Sequence, residues 1–203
     1  MINLACKIPN KVVLACSGGR DSMSALEFLV RGRREITVAY FNHATPHSDD
    51  AEGFLESFCS TQSLPLVVGK YKHKNSLKEP TEASWRIQRY EFFKTFDTPV
   101  VTGHHLKDAV EWWIFSSLRG NPTLISPVRE DIPALRPFIM SHPDDLHTRF
   151  REYPHIEDPS NASLKFTRNF IRHEILHRAQ RVNPGLYTTI KNMYEKEITL
   201  KND

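Results

Sequence analysis

The sequence contains few cysteines: its 203 residues include only Cys6, Cys16 and Cys59. All three lie in the first third of the chain, and no two are close enough to form a Cys-x-x-Cys pair. A disulfide framework needs a larger, even set of cysteines, and zinc ribbons and iron-sulfur sites need closely spaced ones. The cysteine content therefore argues against all three, and Cys16 and Cys59 are expected to pack as small hydrophobic residues.

Long apolar runs are also missing from the sequence. A helix that spans a bilayer needs roughly 18 apolar residues, and no stretch of this chain approaches that length. Residues 1–10 carry Lys7 and lack the apolar run of a secretion signal. We therefore expect a cytoplasmic protein without a membrane partner. The net charge of +3 is too small to indicate a nucleic-acid partner unless the charge is clustered.

Short apolar segments alternate with segments of helical periodicity through the first 118 residues. The sequence predicts strands at residues 11–16, 36–41, 64–68 and 100–102, and helices at residues 23–30, 49–59 with Ser48 as N-cap, 81–96 and 106–118. This alternation is typical of an α/β fold with a doubly wound parallel sheet. Ligand-binding loops are then expected at the carboxyl ends of the strands.

The pattern changes after residue 118, where four prolines allow little more than an edge strand around residues 134–139. A short helix is predicted after Ser141, a basic helix over residues 167–181 and a last helix over residues 186–198. We therefore expect a domain at residues 1–140 and a C-terminal helical extension at residues 141–203 that completes the active site.

A glycine pair follows the first predicted strand, in the segment Ser17-Gly18-Gly19-Arg20-Asp21-Ser22. Glycines between a strand and a helix let backbone N–H groups approach a phosphate closely, and the helix N-terminus adds partial positive charge. The spacing fits neither the P-loop of nucleotide kinases nor the dinucleotide-binding fingerprint. The residues therefore predict an anion site, with an ordinary turn rich in glycine and serine as the alternative.

This segment resembles the Ser-Gly-Gly-x-Asp-Ser pyrophosphate loop of the N-type ATP pyrophosphatases, the PP-loop superfamily. Enzymes of that superfamily split ATP between its α and β phosphates and form an adenylated intermediate, which an amine or a sulfur donor then displaces. The resemblance implies a Rossmann-like fold of the adenine nucleotide alpha hydrolase type, with ATP and Mg²⁺ as cofactors. The missing Cys-x-x-Cys pair argues against a sulfur-transferring member.

The C-terminal third resembles the tRNA(Ile)-lysidine synthetases within that superfamily. The matching segments are Glu157-Asp158-Pro159-Ser160-Asn161, Thr167-Arg168-Asn169 and Ile171-Arg172-His173-Glu174, with further matches in order between residues 11 and 185. The resemblance implies ligation of free L-lysine to C2 of the wobble cytidine, position 34, of tRNA(Ile) with a CAU anticodon. The products would be lysidine, AMP and pyrophosphate. We expect a short form without the C-terminal domains of longer members, relying for tRNA selection on the basic helix or on a homodimer.

The resemblance also implies roles for particular residues. The expected catalytic residues are Asp21, Asp108, Glu111 and Arg172, and the expected ATP-binding residues are Ser17, Gly18, Gly19, Arg20, Asp21, Ser22, Asn42, His43 and His104. The expected residues for tRNA and lysine are Arg86, Arg119, Arg168, Asn169 and Arg172, and Asp108 and Glu111 are expected to hold Mg²⁺ on ATP.

Alternatives remain open at several of these positions. Asp108 and Glu111 share one helix face, where they either hold a metal ion or complement the helix dipole. Arg168 and Arg172 lie one turn apart and either bind an anion or form a solvated basic face. Lys107 and Trp112 depart from the family pattern. The rival functions are another ligase of this superfamily, acting on a small acid or a different base, and a non-catalytic RNA-binding module.

Overall fold

A computed structural model describes residues 2–73, 81–129 and 131–202 of the chain. The strands are β1 (Lys11–Ala15), β2 (Glu35–Asn42), β3 (Leu66–Lys70), β4 (Val100–Thr102), β5 (Val128–Arg129) and β6 (Ala134–Leu135). The helices are α1 (Arg20–Arg31), α2 (Pro46–Thr61), α3 (Glu82–Phe93), α4 (Leu106–Leu118), α5 (Pro143–Arg149), α6 (Thr167–Phe170), α7 (Leu176–Val182) and α8 (Leu186–Asn202). A 3₁₀ turn covers Pro159–Ala162, and a π-helical segment, Ile171–Ile175, joins α6 to α7.

The six strands form one sheet in the order β3-β2-β1-β4-β6-β5. All neighbouring strands are parallel except β5, which runs antiparallel to β6 at the edge. The chain moves from β1 outward through β2 and β3, and then returns to place β4 on the other side of β1. The predicted α/β class is confirmed, and the carboxyl ends of β1 and β4 flank the point where the strand order reverses.

Both faces of β1 are covered. Val12 and Leu14 pack with Leu26 of α1, whereas Val13 packs with Phe93 of α3 in a separate cluster. Successive side chains of a strand point to opposite faces, so an unbroken apolar run is what a strand covered on both sides requires. This arrangement holds the loop after β1 between two packed layers.

Several predicted boundaries were wrong. Helix α2 begins at Pro46 because Thr45, not Ser48, is its N-cap, and the Thr45 hydroxyl accepts from the Ser48 N–H at 3.2 Å. The strand expected at residues 134–139 is only two residues long, and the basic helix contains a π-helical segment. The bounds of β4 and α4 match the prediction. The domain boundary at residue 140 stays a prediction.

Among the described residues, none of the helices has the length and apolar character that crossing a bilayer requires.

Candidate active site

A cleft of about 910 Å³ opens at the carboxyl ends of β1 and β4. Its walls are formed by the carboxyl ends of β1, β2 and β4 with the loops that follow them, by side chains of α2 and α3, by Arg136, and by side chains between residues 155 and 172. The cleft therefore brings the glycine loop together with the C-terminal third of the chain. The predicted site residues that line it are Ser17, Gly19, Arg20, Asp21, Ser22, His43, His104, Asp108, Arg168, Asn169 and Arg172.

The glycine loop owes its shape to Gly18, whose φ of +77° lies in the left-handed region. A Cβ atom at Gly18 would lie 3.2 Å from side-chain atoms of both Ile156 and Phe54. Gly18 is therefore buried behind the loop, whereas Gly19 faces the cleft and serves as the N-cap of α1. Because the first N–H groups of a helix have no partner within it, α1 presents donors to an anion here.

The two serines of the loop have different surroundings. The Ser22 hydroxyl donates to the carbonyl oxygen of Gly19 at 2.8 Å and accepts from the Ser17 N–H at 3.2 Å, so it stabilises the turn. The Ser17 side chain is exposed, with its hydroxyl 3.3 Å from that of Ser22. The Ser17 oxygen also accepts from the Gly19 N–H at 3.4 Å, so Ser17 is the more exposed and the more weakly held of the two serines.

Asp21 is held by two histidines that come from different helices. Its Oδ1 atom lies 2.7 Å from Nε2 of His147 in α5 and 3.2 Å from Nε2 of His105, the N-cap of α4. Although burial raises the pKa of Asp21, the two histidines lower it well below the usual range. Burial lowers the pKa of His105, but Asp108 and Asp21 raise it above its ordinary value overall. Asp21 is therefore an ionised carboxylate at the edge of the cleft.

Two carboxylates of α4 pair with two arginines of the C-terminal helical run. Arg168 contacts Oδ1 of Asp108 at 2.5 Å, and Arg172 binds both oxygens of Glu111 at 2.7 and 3.0 Å. Burial lowers the pKa of each arginine, but these carboxylates raise it overall. Glu111 is 1% exposed, so the pairing fixes the arginines from beneath while both line the cleft. Both arginines are thus paired with carboxylates, although the Arg168 side chain remains 46% exposed.

These contacts do not fit the expected magnesium site. Oδ2 of Asp108 accepts from the His105 N–H at 2.8 Å, and Oε2 of Glu111 also lies 3.3 Å from Nε of Arg168. All four carboxylate oxygens are thus engaged by protein donors. Within the described residues, no group of three or more His, Cys, Asp or Glu side chains is placed to hold a metal ion. We therefore do not assign Mg²⁺ to Asp108 and Glu111.

The Asp108 contacts predict a dependence of stability on pH. Burial raises the pKa of Asp108, but His105 and Arg168 lower it from 3.8 to about 2. A carboxyl with a lowered pKa stabilises the fold above its unfolded value and loses that contribution as the pH falls. We expect Asp108→Asn to reduce the fall in unfolding free energy between about pH 5 and about pH 2 by roughly 2 kcal/mol, measured by urea titration. An unchanged fall would contradict the prediction.

Two further arginines that we did not predict as site residues line the cleft. Arg136 is 4% exposed, and its Nε atom and that of Arg89 are buried without a hydrogen-bond partner in the described part of the chain. Burial raises the pKa of Tyr90, but surrounding arginines, including Arg89 and Arg136, lower it overall. Buried guanidinium groups without a carboxylate partner favour an anionic ligand. Arg136 lies within the apolar strand predicted at residues 134–139, and a charged residue in such a strand is the sequence feature that could have indicated a site residue.

Besides Gly18 and Glu111, three predicted site residues lie outside the cleft lining. Asn42 donates to the carboxylates of Asp49 and Glu52 at 2.8 and 2.6 Å, which ties the end of β2 to α2. Arg86 and Arg119 are exposed, and each guanidinium lies over an aromatic ring, at 5.2 Å from Tyr90 and 5.3 Å from Phe115 respectively. Their expected roles in binding stay predictions.

Three further predicted residues, His43, His104 and Asn169, line the cleft in different environments. Burial lowers the pKa of His43 to about 4 and that of His104 to about 3, so both rings are uncharged at neutral pH. The Nδ1 atom of His104 lies 2.7 Å from the Thr102 hydroxyl. Asn169 donates to the carbonyl oxygens of Ser160 and Ser163, and so holds the 3₁₀ turn against the basic helix.

Comparison with known families matches residues 3–179 of this chain to the PP-loop domain. A tRNA(Ile)-lysidine synthase from Streptococcus equi subsp. zooepidemicus is 33% identical over 189 residues, which cover 85% of this chain and 42% of the relative. A tRNA(Ile)-lysidine synthase from Petrotoga mobilis is 30% identical over 196 residues, which cover 86% of this chain and 62% of the relative. The chain thus spans about half the length of these curated relatives.

Among solved structures, the fold is similar to the U34-tRNA thiolase NcsA from Methanococcus maripaludis, with a TM-score of 0.69. The two sequences are 14% identical, and the likeness covers 98% of this chain and 74% of the thiolase. At that identity the likeness concerns the fold alone.

Proposed function

Because this chain belongs to the PP-loop domain family, we propose that it adenylates the oxygen on C2 of the wobble cytidine in a tRNA(Ile) with a CAU anticodon and then joins free lysine to C2. In the first step the cytidine oxygen attacks the α phosphorus of ATP, and the bond to the β-phosphate oxygen breaks to release pyrophosphate. In the second step a lysine amine attacks C2, AMP leaves with the oxygen, and the amine loses a proton.

The observation that carries this proposal is the shared cleft. One cleft contains the glycine loop after β1 and the arginines of the C-terminal segment, which are the parts that resemble the lysidine synthetases. The curated relatives named tRNA(Ile)-lysidine synthase support the same reaction class and a tRNA substrate.

Within this proposal the loop binds the pyrophosphate moiety. The N–H groups at the start of α1 and the hydroxyl of Ser17 donate to its oxygens, and Arg20 lies beside them. Arg168 and Arg172 line the same cleft, and each has guanidinium N–H groups beyond those bonded to Asp108 and Glu111, which we assign to the α phosphate. Fixed donors of this kind stabilise the charge that develops at a phosphorus centre without reorganising during the reaction.

Arg89 and Arg136 bring positive charge to the cleft; in the described part of the chain the Nε atom of each has no partner, and Nη1 of Arg136 donates to the carbonyl oxygen of Ser126 at 2.7 Å. We assign them to the anionic groups of the second substrates, which are a tRNA phosphate and the lysine carboxylate. His43 and His104 remain neutral and offer ring nitrogens to the nucleotide. Asn42 serves this site indirectly, by fixing the turn that precedes α2.

Asp21 provides the carboxylate that fits Mg²⁺ on ATP. Mg²⁺ bound with a nucleotide commonly uses one or two carboxylates together with phosphate oxygens and water. His105 and His147 both contact Oδ1 of Asp21. In the part of the chain that the structure describes, Oδ2 has no hydrogen-bond partner. The ion would neutralise charge on the departing pyrophosphate.

Asp21→Ala is expected to lower lysine-dependent AMP release by at least about 100-fold, because the carboxylate and the geometry it gives the loop are both lost. The measurement is AMP formation from ATP with Mg²⁺, lysine and a tRNA(Ile) transcript. Asp50→Ala, an exposed carboxylate on α2, is the matched control and should retain wild-type rates. Near-normal turnover of Asp21→Ala would contradict the assignment.

Mass spectrometry of nucleosides from the same transcript tests the reaction itself. We expect a modified cytidine whose mass corresponds to joined lysine, dependent on both ATP and lysine. AMP release that needs no RNA would instead indicate a ligase for a small acid. RNA binding that weakens steeply with salt, with AMP formation at background, would indicate a non-catalytic RNA-binding module.

A further inference from the structure

His147 of α5 reaches the glycine loop from outside the sheet. Its Nε2 atom lies 2.7 Å from Oδ1 of Asp21, although the two residues are 126 positions apart. The His147 side chain is 14% exposed, and it is absent from the lining of the cleft within the described residues. His147 therefore reaches the cleft through Asp21, and its ring also lies edge-on to that of His105, with 6.3 Å between the ring centroids.

Helix α5 is firmly placed against α1. Leu146 is 1% exposed in the main core cluster, and Phe150 belongs to the same cluster. The Ser24 hydroxyl of α1 donates to the carbonyl oxygen of Phe150 at 2.9 Å. The position of His147 relative to Asp21 is thus set by packing on both sides of the contact.

The two histidines contact the same oxygen of Asp21. Oδ1 takes both His105 at 3.2 Å and His147 at 2.7 Å, and in the described part of the chain Oδ2 has no partner. Two donors that converge from different helices restrict rotation of the carboxylate. The restriction leaves Oδ2 as the oxygen available to a ligand, and it fixes where that oxygen lies.

We infer that His147 is a positioning residue that orients the Asp21 carboxylate for Mg²⁺-bound ATP. The inference rests on the proposed function, since Asp21 is the residue through which it acts. If the inference holds, α5, which packs against α1, is part of the nucleotide site. Without His147, the Asp21 carboxylate keeps only the longer contact with His105. We therefore expect the loss of His147 to weaken the binding of Mg²⁺-ATP but not to abolish it.

The test compares variants of residue 147 whose side-chain nitrogen lies at different distances from Asp21. Glutamine places an amide nitrogen near the Nε2 position of histidine, whereas asparagine places one near Nδ1, too far from Asp21. We expect His147→Asn and His147→Ala to weaken binding of Mg²⁺-ATP about tenfold in calorimetry, and His147→Gln to stay within about threefold of wild type. Thr148→Ala, an exposed neighbour on α5, is the control and should bind as wild type does.

A double-variant cycle separates positioning from general destabilisation. In an Asp21→Asn background, His147→Ala should change the affinity by less than about twofold, because the group it orients has lost its charge. Three outcomes would overturn the inference while leaving the proposed function intact. They are an effect of His147→Ala on Mg²⁺-ATP affinity that is equally large in the Asp21→Asn background, equal losses of affinity in His147→Gln and His147→Asn, and wild-type affinity in His147→Ala. A wild-type protein that takes up no Mg²⁺-ATP would overturn both.

Discussion

Gly18→Ala is expected to abolish ATP binding, whereas the same substitution at Gly120 should leave binding unchanged. Both glycines have positive φ, +77° and +79° respectively, so alanine pays a similar backbone cost of about 1 kcal/mol at each position. They differ in their surroundings. A Cβ at Gly120 meets open space, but one at Gly18 lies 3.2 Å from Ile156 and from Phe54.

The crowding at Gly18 acts directly on the phosphate loop. The Gly18 carbonyl oxygen accepts from the Ile156 N–H at 2.9 Å, so residue 156 cannot move away without breaking that bond. Adding a methyl group to a filled space costs about 1–3 kcal/mol. We therefore expect Gly18→Ala to lose roughly 2–4 kcal/mol of unfolding free energy in urea titration, including the backbone cost. The displaced loop would also misplace the N–H groups of α1.

Gly120→Ala makes this prediction specific. If Gly18→Ala and Gly120→Ala lose the same free energy of unfolding, backbone strain alone explains the loss, and crowding against Ile156 contributes nothing. If Gly18→Ala binds Mg²⁺-ATP as wild type does in calorimetry, the loop after β1 is not the phosphate site.

Local sequence signals located the parts of this fold that local interactions determine. The apolar run of β1 and the periodicity of α4 were both predicted from the sequence, because each depends on a repeating burial pattern within one segment. Strand β4 was also placed correctly, between two helical segments. The N-cap of α2 was misplaced by three residues because two hydroxyl residues, Thr45 and Ser48, lie close together and hydrogen-bond to each other.

The site was harder to predict because its contacts join distant segments. Gly18 was predicted to bind ATP, and nothing in the sequence indicated that Ile156, far along the chain, packs against it. Asp108 and Glu111 were interpreted as metal ligands and Arg168 as a substrate residue, yet the fold pairs them with one another. Spacing along a helix shows which residues share a face, but it does not show which residues of another helix meet that face.

His147 shows the same limitation more sharply. It lies on a seven-residue helix with no motif around it, and its role depends on α5 docking beside Asp21. The fold positions it, and the sequence offered no local signal for it.

Glu111→Ala is expected to combine a large loss of stability with a loss of activity. Removing one partner of a buried ion pair costs about 3–5 kcal/mol, because the other charge stays buried without compensation. Here we expect about 3 kcal/mol in urea titration, since Asp108 still contacts Arg168 and the Arg168 side chain is 46% exposed. AMP release should fall to background because Arg172 loses both of its hydrogen bonds to Glu111 and Arg168 loses one of its two carboxylate contacts.

Two companion variants identify the cause of that loss. Glu174→Ala breaks an exposed pair with Arg178 on the same helical run and should cost less than about 0.5 kcal/mol. Adding Arg172→Leu to Glu111→Ala should recover part of the stability, because it removes the uncompensated charge, while AMP release stays at background. Recovery of both stability and activity in the double variant would show that Arg172 has no part in the reaction. No recovery of stability would show that Glu111 stabilises the fold by packing rather than by pairing.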